Sequence, residues 1–173
     1  MSASAQPAAV AAAACALLGS AACERPQDSP PVLPSSEEVR EIYAEHVGVD
    51  SVVISGNVVE LHVRQPAEQL RRGGSLWARV GPYIAVFSPS SRDLFERYAD
   101  VAAVRVITVG GFGDEVARAM LRRDALSDIQ WRRSLNLLGH ALREGTERPT
   151  RLEQLIEWGE QHTEYEYNER FLN

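Results

Sequence analysis

Hydrophobic and polar positions change period along this chain, and each change predicts an element. Val39, Ile42, Tyr43 and Val47 form a helical stripe behind Ser35 and Glu38, which stand at capping-box spacing, so a first helix is expected from about Ser36 to His46, with Gly48 as its stop. In VVISGNVVELHVR two β-branched runs flank Ser55, Gly56 and Asn57. Val59, Leu61 and Val63 then alternate with Glu60, His62 and Arg64, which predicts a hairpin with one buried face. Residues 65–74 read as a polar loop. From Ser75 to Tyr98 the spacing is helical, with Pro82 and Pro89 expected to divide it. Ala102 to Val109 is a strand broken by GGFG.

Residues 114–123 fit two patterns. Val116, Arg118, Met120 and Arg122 share one face of a strand, whereas Val116, Ala119 and Met120 share one face of a helix. The strand is preferred because two hairpins complete a four-stranded sheet and an isolated pair is marginal. Trp131, Leu135, Leu138 and Leu142 predict a helix stopping at Gly145. Pro149, Thr150 and Glu153 open another, which buries Leu152, Leu155 and Ile156. The expected fold is α+β: a small antiparallel sheet of two hairpins packed with several helices, occupying residues 37–173 as one domain.

Two segments precede that domain. Residues 24–36, ERPQDSPPVLPSS, are rich in proline and serine and read as a disordered spacer. Residues 1–23 carry no charged side chain; AAVAAAACALL is too short for a bilayer span, which needs roughly 20 helical residues. It has the length of a signal-peptide apolar region and is followed by Gly19, Ser20, Ala21, Ala22 and Cys23. With this LLGSAAC ending, residues 1–23 resemble a bacterial lipoprotein signal peptide. The resemblance implies cleavage before Cys23, lipidation of Cys23, a membrane partner through that lipid, and a place in the cell envelope. Cleavage without lipidation, or an uncleaved Ala-rich cytoplasmic leader, stay open on the residues alone.

Composition narrows the chemistry. The two cysteines are Cys15 and Cys23, so the sequence from Glu24 onward offers no disulfide, thiolate metal site or cysteine nucleophile. All 18 basic residues are Arg, and the net charge of −6 speaks against a nucleic-acid partner despite the pairs Arg71–Arg72, Arg122–Arg123 and Arg132–Arg133. The glycine loop at 110–113 is followed by Asp114 and Glu115, which would repel a phosphate. No cofactor is expected.

Candidate side chains lie mainly at the C-terminus. Glu157, Glu160 and Glu164 are spaced to share a helix face beside His162, a possible divalent-cation or acid/base site, and His62 is a second polar candidate. Trp158, Tyr165, Tyr167 and Phe171 suggest a surface for an envelope protein partner. His46 and His140 have no metal-ligand spacing. The functional expectation is a membrane-tethered, non-catalytic binding or structural module. The alternatives are an envelope enzyme using these His and Glu residues, and a cytoplasmic adaptor with a disordered leader.

Overall fold

A computed structural model describes residues 32–172 apart from Val47, and of Arg72 and Gly73 the backbone only. The expected signal peptide, Cys23 and residues 24–31 of the spacer lie outside the described residues; the rest of the spacer is ordered, since Leu33 packs against the core, Ser35 caps the first helix and Ser36 begins it. The chain runs α1 (Ser36–Ile42), β1 (Val49–Ser55), β2 (Val58–Arg64), α2 (Ala67–Val86), α3 (Pro89–Arg97), β3 (Ala103–Val109), β4 (Glu115–Arg122), a 3-10 turn (Arg123–Ala125), α4 (Asp128–Glu144), α5 (Pro149–His162), β5 (Glu164–Tyr167) and a second 3-10 turn (Glu169–Phe171).

The fold is α+β. Both expected hairpins form. In the first, Gly56 supplies φ 60° at the start of the two-residue loop, the conformation a type II′ turn requires there. The second joins β3 to β4, so residues 115–122 are strand, with Ala117, Ala119 and Leu121 paired to Thr108, Val106 and Val104 on the buried face.

The sheet is mixed, not wholly antiparallel. Its order is β1-β2-β3-β4-β5, and β2 lies parallel to β3. A crossover containing α2 and α3 separates these two strands, as parallel pairing requires, and carries the chain from the carboxyl end of β2 back to the end of the sheet where β2 began. The fifth strand was read as helix in the sequence. Instead α5 ends at His162, where Thr163 Oγ1 donates to the Gly159 carbonyl (2.8 Å), and Glu164–Tyr167 pairs with β4.

Other boundaries move for local reasons. α1 stops at Ile42 because Tyr43 is buried, with its hydroxyl 2.6 Å from Ser91 Oγ, and the following amides close i→i−3 turns. The expected loop 65–74 is mostly helix: α2 starts at Ala67 and is interrupted only at Gly74, whose φ 52° and ψ −135° are non-helical. Pro82 sits inside α2 without ending it. Fully buried Val80, Tyr83 and Val86 on the same helix hold that turn against the cost of the missing amide donor.

Helices cover one sheet face. α2 lies over β3 and β4, α5 packs on α2 and α4 on α5, while α1 contacts β1 and α3. Val39, Leu61, Val80, Leu94, Val104 and Leu155 are fully buried in the shared core. Val53, Glu60, His62, Arg105, Ile107 and Arg118 lie on the opposite, uncovered face.

Candidate functional site

A partly enclosed hollow lies at the carboxyl ends of the parallel strands β2 and β3, where the chain leaves the sheet to begin α2. It is a cavity of about 750 Å³. Carboxyl ends of adjacent parallel strands are where open α/β sheets commonly take ligands, because the crossover helix leaves a crevice there.

Gln65 sits at its base. As the residue before Pro66 it is held extended, so its amide continues the ladder by donating to the Val109 carbonyl at 2.8 Å. Its side chain turns inward and is only 4% exposed. Nε2 donates to the Trp77 carbonyl, which fixes the orientation of the carboxamide; Oε1 is buried and no protein donor reaches it. A Cβ on Gly81 would stand 2.9 Å from Gln65 Oε1 and 3.1 Å from Thr108 Cγ2, so the glycine is what gives this carboxamide room. Thr108 is satisfied separately, donating from Oγ1 to the Ala117 carbonyl at 3.1 Å.

The walls are mostly apolar. Val63, Trp77, Ile84, Ala85 and Leu142 contribute to them, and Leu142 is largely exposed at its place on the lining. His46 enters from the turn after α1 and meets Tyr43 with the ring planes tilted by 48° and the centroids 5.5 Å apart. Burial lowers its pKa below the ordinary imidazole value, partly opposed by the Glu45 charge. Arg64 is tied to Asp50 (2.5 Å). Glu45 and Glu68 also reach the lining and are exposed, so the apolar surface and the buried carboxamide of Gln65 make up the inner part of the space.

The side chains singled out in the sequence are dispersed. His62 is on the uncovered sheet face, where its Nε2 is 2.9 Å from Glu60 Oε1 and Arg105 donates to the other oxygen at 3.1 Å. Burial alone would raise the Glu60 pKa; hydrogen bonds and charges from His62 and Arg105 outweigh it and hold the carboxyl below its ordinary range. His162 lies on the helical side, at the end of α5. Its Nδ1 donates to the Trp158 carbonyl (2.8 Å), Nε2 faces Gln130 Nε2 at 3.2 Å, and the ring stacks on Trp158 at 3.9 Å. Glu160 and Glu164 do not share a helix face, because Glu164 belongs to β5.

Glu160 anchors a separate network. Arg79 Nη2 donates to its Oε1 at 2.5 Å, Tyr167 donates to the same oxygen at 2.9 Å, and the Tyr83 and Tyr167 hydroxyls are 2.7 Å apart. Burial, reinforced by Glu160, raises both phenols, Tyr83 to about 12. Phenols raised in this way stay protonated at neutral pH, and the network fastens β5 to α2 and α5. Among the described residues, no group of three or more His, Cys, Asp or Glu converges as a metal site.

The four aromatics do not form one exposed surface. Trp158 is buried, with Nε1 donating to Ser134 Oγ at 2.8 Å and the Arg133 guanidinium 4.5 Å above its ring. Tyr167 is held in the network just described, Phe171 is half-buried, and Tyr165 is 45% exposed. The arginine pairs are likewise spoken for in part: Arg123 donates to the Val101 and Phe95 carbonyls at 2.7 and 2.6 Å and to that of Tyr98.

Gln65, Gly81, Trp77 and Thr108 had no motif to announce them. The only sequence signal was Gln-Pro at a strand end. Comparison with protein-family models, with curated proteins and with solved structures finds no match for this chain.

Proposed function

We propose that this chain is an exported lipoprotein, tethered to a membrane through Cys23, whose α+β domain is a non-catalytic binding module of the cell envelope. The observation that carries the binding role is the cavity at the ends of β2 and β3, with largely apolar walls and the buried carboxamide of Gln65 at its base. Tethering rests on LLGSAAC, the apolar run before it and the proline-rich stretch after it. Several acyl chains on one cysteine would exceed the marginal membrane affinity of a single chain. No helix among the described residues is long and apolar enough to cross a membrane.

An acid/base or metal enzyme built on His62, His162, Glu160 and Glu164 draws no support from their placement, since His62 lies on the uncovered sheet face and His162 on the helical side. Export and lipidation are tested together by the N-terminal mass of the protein recovered from cells, with metabolic labelling by a palmitate analogue in wild type and Cys23→Ser. A lipidated Cys23 terminus, with label lost in the variant, is expected. An intact Met1 terminus without label would overturn the export reading.

A further inference from the structure

We infer that the cavity at the ends of β2 and β3 takes an uncharged small molecule with an apolar body and one hydrogen-bond donor, a hydroxyl or amide N–H, which it gives to Gln65 Oε1. This rests on the binding reading above, though not on export or lipidation.

Three observations lead to this ligand chemistry. First, Gln65 is 4% exposed and its Oε1 has no protein donor, while Nε2 is committed to the Trp77 carbonyl. A buried acceptor without a partner is destabilising, so a donor from outside the fold, an ordered water or the ligand that displaces it, is favoured at this place. Second, the carboxamide is built into position. Pro66 keeps Gln65 extended, its main-chain amide is locked to Val109, and Gly81 leaves the clearance that any side chain would remove. Third, the neighbouring walls from Val63, Trp77, Ile84, Ala85 and Leu142 are apolar, and fit a ring or short chain attached to the donor.

Charge decides against ions at the buried end. One amide oxygen cannot replace the hydration of an ammonium group, and an anion would meet an acceptor with its own lone pairs. Burial favours the neutral form of His46, so the imidazole brings no fixed cation to the lining. Of the charged side chains on the lining, Arg64 is already paired with Asp50, and the carboxylates of Glu45 and Glu68 are exposed, unlike the buried Gln65. A neutral donor is the one end-group that satisfies Oε1 without stranding a charge.

The test compares 4-butylphenol with 4-butylanisole, which has the same apolar body and no donor. The protein is the full chain carrying Cys23→Ser, so that no acyl group requires detergent. Calorimetric titration gives affinity, and 1H–15N spectra follow the Gln65 side-chain NH2 and the Trp77 indole to locate binding. The phenol is expected to bind about tenfold more tightly than the ether, the effect of one net hydrogen bond of ~1.4 kcal/mol. The Gln65 and Trp77 signals shift with it, and Gln65→Met removes the preference while keeping affinity for the ether.

Failures separate cleanly. If neither probe binds, the cavity is no receptacle for such molecules and the binding reading loses its observation. Equal affinities in wild type leave binding intact and overturn the donor inference. A phenol preference that persists in Gln65→Met, or spectral shifts remote from Gln65 and Trp77, also overturns it. Should Gln65→Met fail to fold, the wild-type pair and the Gln65 signal still decide.

Discussion

Gly159→Ala tests whether the packing of α5 on α2 is as tight as the geometry implies. Gly159 is buried in α5, and a Cβ there would lie 2.6 Å from Tyr83 Cζ and closer still to Cδ1 and Cε1. Carbon atoms prefer ~3.5–4.0 Å, so about 1 Å of movement is demanded of either the ring or the helix. The ring has little freedom. Tyr83 is fully buried, stacks with Phe87 at 6.0 Å, and its hydroxyl is bound to that of Tyr167. Overpacking at such a site costs ~3 kcal/mol, the upper part of the usual range. Alanine in place of glycine within a helix returns ~1 kcal/mol. The net is a loss of ~2 kcal/mol, which at a urea slope of ~2 kcal/mol/M lowers the unfolding midpoint by about 1 M. Urea titration followed by tryptophan fluorescence measures it.

Gly139→Ala in α4 provides the control, because there the new Cβ meets only the guanidinium tip of Arg143 at 3.2 Å. That flexible end moves aside, and a gain of ~0.5–1 kcal/mol is expected. If Gly159→Ala is as stable as wild type or more so, the reasoning about Tyr83 is refuted. Hydrogen exchange in β5 adds a second reading, since displacing Tyr83 loosens Tyr167 and should speed exchange at Glu164–Tyr167 before it does so in β3.

Trp158→Phe removes the indole donor from Ser134 Oγ, whose residue is fully buried, and leaves a gap under Arg133; a loss of ~1–3 kcal/mol is expected in the same urea assay. Arg123→Ala strips three carbonyls between Phe95 and Val101 of their common donor and should cost ~2–3 kcal/mol, with Arg123→Lys restoring only part, because an ammonium lacks the planar fork. Glu60 is expected to titrate below 4.5 by NMR, and Arg105→Gln to move its midpoint upward. Because the folded pKa is lowered, the Glu60 contribution to stability is complete above the ordinary value and is lost as pH falls through the folded one. For His46, whose folded pKa is lowered by burial, the unfolded chain binds the proton more readily, so stability should decline as pH drops below about 6.5, and His46→Gln should flatten that decline in urea midpoints.

Alternation carried much of this fold. Val59, Leu61 and Val63 were legible as the buried side of β2, and Ser55, Gly56 and Asn57 as its turn, because a strand repeats every two residues and a tight loop selects its own residues. The strand at 115–122 was legible as one of two patterns. β5 was misread because Glu157, Glu160 and Glu164 match a helical face, although Glu-Tyr-Glu-Tyr also alternates with the period of a strand. The competing pattern won in the chain because Tyr165 and Tyr167 pair with Ala119 and Ala117, small residues beside which two aromatic rings fit.

Sequence alone determined the α+β class, the absence of thiols from Glu24 onward, the surplus of acid over base, and the lack of charged side chains in residues 1–23. These depend on composition or on neighbours within a few positions. Only the tertiary structure set β2 parallel to β3, buried Trp158 beneath Arg133 and His162, and separated His62 from His162. The cavity belongs wholly to that second group. Gln65, Trp77, Gly81 and Thr108 are ordinary residues in sequence, and they become a site only where a crossover brings two strand ends beneath one helix. A local pattern has no means of recording which distant side chain leaves an acceptor without its donor.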